Sequence, residues 1–369
     1  MPIKFGTETV FEYKEKLKLD KKDKKILYEL YKNARIPVSV IAKKVELSKD
    51  TIKYRIRRME KAGLILGYTT VVNLNRFGFH WNILLLQTKF DNAEQEKKFI
   101  EFLQSSKNVL KVMKCSGKWD YQIDVVYVSF LELDEIVNGI KKLTLLLDFS
   151  VLNCLKEIKY AHLPLRFFDD IGQEKQYMTA APAGRVDESK EKCELDTIDK
   201  QLIMLLAKNS RSTLLHLSKS VQLSPDATTN RIKRLEKNGV LRGYMPVINT
   251  ALLYDEHWIF IQINKSPGAL DAYLKQHPSI QTIYEIGYEY DIFFWISATT
   301  IGEYEAILSE IKHKFSDSIN RIDAVLALRE YKYNEFPGVS IERQHPSHPS
   351  AQVSPAASPT FHTHEPMVQ

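Results

Sequence analysis

The chain has 369 residues, 27% of them charged and 44% hydrophobic, with a formal net charge of +6. That balance fits an ordinary globular protein of roughly two to four domains and excludes a strongly basic one. Affinity for a polyanion must therefore come from local clustering of charge. No apolar run reaches the length of about 18 residues that a membrane span needs. The opening MPIKFGTETVFEYKEK has no apolar centre and reads as no secretion signal. Cys115, Cys154 and Cys193 are scattered, with neither a disulfide framework nor a CxxC metal spacing. A reducing cytoplasm is the expected location.

Residues 1–18 read as an N-terminal extension. Residues 19–68 then align without a gap with residues 195–244, and about twenty of the fifty positions are identical. Such internal repetition marks a tandem duplication. Asp20 is placed to cap a first helix, with Ile26, Leu27 and Leu30 apolar and Asp23 near its positive end. Pro37 suits the first turn of a short second helix that buries Val38, Ile41 and Ala42. Ser48 caps a third helix, which Gly63 ends. Tyr68–Val72 then reads as a strand resembling a wing. Residues 19–75 are thus expected to form a winged helix-turn-helix, and residues 194–250 its copy.

From residue 80 to 163 strand and helix alternate. Strands are expected at 83–90, 109–115, 121–128 and 151–160, with helices at 94–103 and 131–146. This βαββαβ order in about 80 residues predicts a ferredoxin-like sandwich, and residues 256–335 repeat it. The expected fold class is α+β, two tandem units, each a winged helix-turn-helix followed by a ferredoxin-like domain. Residues 164–193 read as a polar linker. Residues 338–369 are rich in Pro, Ser, Ala and His and read as a disordered tail. Its His345, His348, His362 and His364 form two close pairs, read as solvated side chains rather than a weak metal site.

The third helix carries the chemistry. Ile52, Ile56 and Met59 share one face. Asp50, Tyr54, Arg57, Arg58 and Lys61 lie opposite, with Lys49 and Lys53 to one side. Between Ile41 and Lys61 there are eight Lys or Arg and three acids. A merely solvated face mixes the signs; this one concentrates cations, which a polyanion would offset. A helix-turn-helix inserts its second helix into the major groove by the amino half. Ser48, Lys49, Lys53, Tyr54 and Arg57 are accordingly the candidates for base edges, and Arg58 and Lys61 for phosphates. The bland alternative is a basic dimerisation or RNA-facing module. Arg55 flanks the apolar face and is expected to pair with an acid of the first helix such as Asp23. In copy 2, Lys53, Tyr54 and Arg57 are replaced by Thr229, Asn230 and Lys233. The window Leu217–Lys237 holds five cations and two acids. Ser224, Thr229, Asn230, Lys233 and Arg234 are the candidate contacts of a second, weaker reader. The alternative is that copy 2 only packs.

At these residues the chain resembles the leucine-responsive regulatory protein (Lrp/AsnC) family of transcription regulators. The resemblance rests on L-D-x-x-D-x-x-I-L at Leu19–Leu27, on Arg35, on the run Leu47–Ile65 and on Gly67-Tyr68, all with counterparts in copy 2. It implies a sequence-specific regulator of double-stranded DNA whose ferredoxin-like domains self-associate and sense a small effector such as an amino acid. It also implies an effector site near a G-x-x-D loop, which maps onto Gly117 and Asp120, with Trp119 narrowing any pocket. In copy 2 the match is Gly287 and Asp291, one residue further apart, with Tyr290 in the place of Trp119. The fusion departs from single-unit relatives. It implies pairing within one chain and an imperfect palindrome as operator, with half-sites one helical turn or a multiple apart.

His80-Trp81 and His257-Trp258 recur just before the first strand of each ferredoxin-like domain and read as packing contacts at a sheet edge rather than a shared ligand site. Two rival functions come from other classes. One is a partner-binding adaptor with degenerate DNA modules. The other is an enzyme like the siroheme decarboxylases, which share the fused architecture. No catalytic triad, paired carboxylates or metal-ligand spacing stands out, so no catalytic residue, cofactor or metal is expected.

Overall fold

The computed structural model describes residues 9–10, 16–172, 193–264 and 268–338. Most of the expected extension, most of the expected linker and the tail with its four histidines lie outside the described residues. In copy 1 the helix-turn-helix comprises α1 (Lys21–Lys32), α2 (Val38–Val45) and α3 (Lys49–Lys61). Its caps are those the sequence specifies. Asp20 and Asp23 form a reciprocal capping box, and Ser48 accepts from the Thr51 amide. Gly63 takes a φ of +72°, which favours glycine. Pro37 is the cap itself rather than a first-turn residue. Copy 2 repeats the arrangement with α6 (Thr197–Lys208), α7 (Leu214–Ser220) and α8 (Pro225–Lys237).

The strand after Gly63, β2 (Ile65–Val72), does not fold back within its own copy as a wing would. It pairs antiparallel with its counterpart β7 (Leu241–Ile248), from Ile65 opposite Ile248 to Val72 opposite Leu241. The ribbon locks the two heads together. The Ala34 amide donates to Tyr244 O at 2.8 Å, and the Ser210 amide donates to Tyr68 O at 2.9 Å. Arg35 lies over the Tyr244 ring and donates to the carbonyls of Ser210 and Ser212. Its counterpart Arg211 lies over the Tyr68 ring.

The first ferredoxin-like unit is β3 (His80–Lys89), α4 (Ala93–Ser105), β4 (Val109–Gly117), β5 (Tyr121–Tyr127), α5 (Phe130–Leu143) and β6 (Leu145–Lys159). The second is β8 (Asp255–Ile263), α9 (Gly268–Gln276), β9 (Ile280–Gly287), β10 (Ile292–Ala298), α10 (Ile301–Lys314) and β11 (Ile319–Tyr333). Leu145 and Leu146 were expected in a helix. They instead begin β6, because they pair with Lys89 and Thr88 of β3. The fifteen residues of β6 serve two partners: its first half pairs with β3 and its second half with β9 of the other unit. In the same way β11 pairs first with β8 and then with β4. Eight strands therefore close into a ring shared by both copies. The short strand β1 (Thr9–Val10), from the expected extension, adds to β11.

Alternation divides each sheet between two cores. Leu84 and Leu86 point to α4 and α5, against Phe99, Leu103, Ile136 and Ile140. Ile83 and Leu85 point the other way into a core common to both units and both heads. Leu165–Ile171, expected as the start of the linker, is instead a turn of 3-10 helix that buries Leu165, Phe167 and Phe168 and packs Phe168 edge-on to Tyr28 of α1.

The register corrects two pairings drawn from the letters alone. The Asp120 amide donates to Leu86 O and the Asp291 amide to Ile261 O, so Ile261 answers Leu86 and Trp258 answers Ile83, not Trp81. The His-Trp dipeptides are offset by two residues, which leaves both indoles facing inward. Trp81 and Trp258 lie within the shared core rather than at a sheet edge, and both dipeptides lie inside strands. His80 and His257 point away from it, stacking on Phe130 and Tyr304. Likewise Gln122 faces Met113 as Phe293 faces Tyr284. Tyr288 is therefore the counterpart of Gly117, with no insertion, and Ser116 is the counterpart of Gly287. Tyr288 holds a φ of +87° where Gly117 holds +132°.

Two buried lysines are related by the same pseudo-symmetry. Lys159 donates to Ile280 O at 2.6 Å, and Lys332 donates to the carbonyls of Gln104 and Ser106 at the end of α4. Burial lowers both from 10.5 to about 8. The folded chain then releases these protons before the unfolded chain does, so stability rises as pH climbs from about 8 towards 10.5. The effect is on the order of 3 kcal/mol per lysine. Replacing both by Met should flatten the pH dependence of the urea midpoint across that window; parallel wild-type and mutant curves would remove the claim.

Candidate nucleic-acid interface

Asp23 fixes the presentation of α3. Its side chain is fully buried at the amino end of α1. Oδ1 accepts from Arg55 at 2.9 Å and Oδ2 accepts from Arg58. Arg55 also donates to Asp20 at 2.6 Å. Burial works to raise Asp20, but hydrogen bonds from Arg55 and the Asp23 amide outweigh it and hold the carboxyl below its usual range. Copy 2 is the same: Arg231 donates to Asp196 and Asp199, and Arg234 to Asp199 at 2.5 Å. The expected pairing of Arg55 with Asp23 is present. Arg58, read as a phosphate contact, and Arg234, read as a candidate DNA contact, each pair with a buried carboxylate, with about half of each side chain still exposed.

With Ile52, Ile56 and Met59 buried, the opposite face of α3 is open. Lys49, Lys53, Tyr54, Arg57 and Lys61 are exposed, Tyr54 at 66%. Lys53 makes only a 3.3 Å contact with Asp50. The Ser48 and Ser224 hydroxyls serve as caps. In copy 2, Asn230 and Lys233 are exposed, while the Thr229 hydroxyl donates back to Pro225 O at 2.9 Å. One contributor was missed in the sequence. Lys53, Arg57 and Tyr68 line a groove together with Asn209 and Arg211 of copy 2. Arg211 was visible as the counterpart of Arg35; its position beside the other copy's helix was not.

The G-x-x-D loops sit where the two units meet. At Gly117 a Cβ would stand 2.8 Å from Ala324 O of β11, so the strand approach itself requires glycine. The Asp120 carboxylate accepts from the Thr88 amide at 2.7 Å, and Asp291 accepts from the Ile263 amide at 2.8 Å. Both aspartates thus brace the loop against the first strand. Trp119 and Tyr290 are buried in the core. Lys118 meets its structural counterpart Glu289 at 3.3 Å. Arg321 and Asp323 complete a charge-balanced network around Tyr290. Burial works to raise Asp323, but the Tyr290 hydroxyl and Arg321 outweigh it and hold the carboxyl low.

Among the described residues no cluster of three or more His, Cys, Asp or Glu is placed to hold a metal ion, and no helix is long and apolar enough to cross a membrane.

Three helices with the third exposed on its polar face, repeated and interlocked through β2 and β7, define a class: paired helix-turn-helix proteins. A family model described as winged helix-turn-helix DNA-binding matches residues 19–65 and 195–242. The proline dehydrogenase transcriptional activator of Rhodobacter capsulatus is 36% identical over 110 residues, 29% of this chain and 70% of that protein. The leucine-responsive regulatory protein of Haemophilus influenzae is 28% identical over 155 residues, 40% of this chain and 93% of that protein. The crystal structure of the siroheme decarboxylase NirDL shares the fold across 87% of this chain and 94% of that one, with a TM-score of 0.58 at 13% identity. The chain belongs to the Lrp/AsnC family of DNA-binding transcription regulators.

Removal of the Asp23 carboxylate leaves Arg55 and Arg58 without their shared partner and opens the capping box. Asp23→Ala should lower the unfolding free energy by about 2–4 kcal/mol, against less than about 0.5 kcal/mol for Arg57→Ala. Chemical denaturation of the two variants checks this; equal losses would mean that Asp23 is not the anchor of α3.

Proposed function

We propose that this chain reads a single asymmetric DNA site with two unequal heads held at fixed spacing. The observation that carries the reading is the interlocked β2–β7 ribbon, with the cationic face of α3 open on one side and the poorer face of α8 on the other. Because the heads are joined by backbone hydrogen bonds rather than a flexible tether, the half-site spacing is a property of the fold. Lys49, Lys53, Tyr54 and Arg57 of copy 1 and Asn230 and Lys233 of copy 2 contact base edges. Lys61 and Arg211 contact phosphate, and Arg58 and Arg234 chiefly hold the helices at their angle. The ferredoxin-like ring is the oligomerising and effector-responsive part, with the bridged loops at Gly117–Asp120 and Tyr288–Asp291 as its candidate sensor.

A second reading is supported by the likeness to the siroheme decarboxylase, which spans both copies while the regulators match one unit each. At that identity the likeness concerns the fold alone. Decarboxylation gives no reason for the cations of α3 to be gathered on one open face, so we place the chain among the non-enzymes. A tetrapyrrole absorbance in the purified protein would favour the enzyme.

Binding to duplex DNA should weaken steeply with salt, and Lys61→Ala with Arg211→Ala should reduce the slope of log K against log salt by about 2, near 0.9 per lost phosphate contact. Weak binding at every salt concentration would favour the adaptor. Selection from random duplexes should return imperfect palindromes with half-sites about one helical turn, or a multiple, apart; perfect palindromes would overturn the two unequal readers.

A further inference from the structure

The outer face of α5 reads the same from either end once charge is reversed. Ile136 and Ile140 turn to the sheet and are buried. Leu131, Asp134, Glu135, Asn138, Lys141 and Lys142 are exposed, and Leu145, just past the Thr144 cap, joins them. Leu131 is 75% exposed and Leu145 60%. Asn138 is the centre of the pattern. Three residues away on either side stand Glu135 and Lys141, four residues away Asp134 and Lys142, and seven residues away Leu131 and Leu145. No acid of this face lies three or four residues from a lysine, the spacing at which charges pair within a helix. Asp134 accepts from the Asn138 side chain at 2.8 Å, and none of the four charges makes an ion pair among the described residues.

The helix dipole explains part of this order, since it favours bases in the last turn, where Lys141 and Lys142 lie. Its influence fades beyond the first turn. It gives no reason for acids at Asp134 and Glu135, and none for exposed leucines at both ends. The second unit shows that the fold does not demand this face either. In α10, Thr300, Ile307 and Ile311 take the places of the cap Ser129 and the buried Ile136 and Ile140. Yet Leu131 is answered there by Gly302 and Glu135 by Ala306. Leu145 stands opposite Lys89 as Ser318 stands opposite Asn264, so Ser318 answers Leu145. The bulge that follows holds Leu147 in β6 and Asn320 in β11. Copy 2 thus lacks both leucine ends and one of the acids, although the backbone is shared.

We propose that this face of α5 is the contact between two copies of the chain, and that the assembly closes at two. A face that mirrors itself with charge reversed fits an antiparallel partner of its own kind, about a two-fold axis through Asn138. Asp134 meets the partner's Lys142, Glu135 meets the partner's Lys141 and Leu131 meets the partner's Leu145. The symmetry makes each contact twice. The bulge at Leu147 interrupts the edge of β6 and disfavours an added strand there, so the helices carry the contact. One unit of the two has this face, and a two-fold contact uses it up, so growth stops at two chains. The 14 residues of α5 span about 21 Å. An interface of that size is small, and the association is weak and reversible, in the micromolar range. The inference rests on the reading of the strand ring as the oligomerising part; it does not depend on DNA binding.

The test is sedimentation of the full chain without DNA across the micromolar range, with charge reversal on each half of the face. The wild type should pass from one chain to two, with no larger species. Lys141→Glu with Lys142→Glu makes the face wholly acidic, and Asp134→Lys with Glu135→Lys makes it wholly basic. Each variant alone should associate about tenfold or more weakly. An equimolar mixture of the two should associate again, because acidic and basic faces then meet along their whole length. Lys312→Glu with His313→Glu, at the matching places of α10, should change nothing. All of these side chains are exposed, and unchanged melting temperatures confirm that the fold is kept. A wild type that stays single at every concentration overturns both the contact and the reading of the ring as the oligomerising part. Undiminished association in the two reversed variants overturns the contact alone. A mixture that fails to associate overturns the antiparallel pairing, and wild-type species larger than two chains overturn the closure.

Discussion

The structure depends on two strands that belong to both copies at once. A strand of the length of β6 or β11 has about twice the hydrogen-bonding edge that one small sheet needs. Each spends the second half of that edge on the other unit. Without the other copy, the far halves of β6 and β11 and the whole of β2 would expose unpaired backbone beside apolar side chains, which is unfavourable in water and open to wrong pairing. Fusion therefore does more than raise effective concentration. It ensures that the strand edge of copy 1 always meets that of copy 2, and not a second copy of itself. That constraint is what allows the two halves to diverge.

The divergence is uneven: many contacts that set the heads and join the copies are present in both, while several exposed or bridging positions differ. Asp23 and Asp199 keep their arginine pairs, Arg35 and Arg211 keep their tyrosines, and Lys159 and Lys332 keep their buried carbonyl partners. By contrast, the exposed Tyr54 is answered by Asn230, and Lys118 is answered by Glu289, with which it pairs across the copies. The Lys118–Glu289 change shows why a fused pair can do what a symmetric dimer cannot. Two identical residues meeting across a two-fold axis carry like charges; here the axis is only approximate, and the two positions attract.

Local features were legible in the sequence because their causes are local. The caps at Asp20, Ser48 and Ser224-Pro225, the glycine at 63 and the apolar stripe of α3 each follow from a few neighbouring residues. Arg55 could be assigned to Asp23 because it stands beside the buried face. Arg58 could not, since reaching Asp23 depends on the angle at which α3 crosses α1. The letters misled where identity outvoted register. His-Trp matched His-Trp and Gly287 matched Gly117, while the hydrogen bonds place Trp258 opposite Ile83 in kind and Tyr288 at the glycine's backbone angle. A shift of two in a strand is invisible to a pattern of period two, because the same side chains still face inward. The ring closure and the β2–β7 ribbon join residues far apart in the chain, and no spacing within one segment encodes them.

The heads and the ring are joined by polar contacts as well as by packing. Tyr160 and Tyr333, related by the pseudo-symmetry, both donate to Glu335, and His162 stands 3.0 Å from the Tyr160 hydroxyl. The His162 backbone amide donates to the Tyr31 hydroxyl of α1. A chain of hydrogen bonds thus runs from the end of β11 to the helix whose amino end carries Asp23, and Asp23 in turn sets the angle of α3. These are packed, hydrogen-bonded groups with little slack, so the orientation of the cationic helix is tied to the strand ring rather than to its own copy alone.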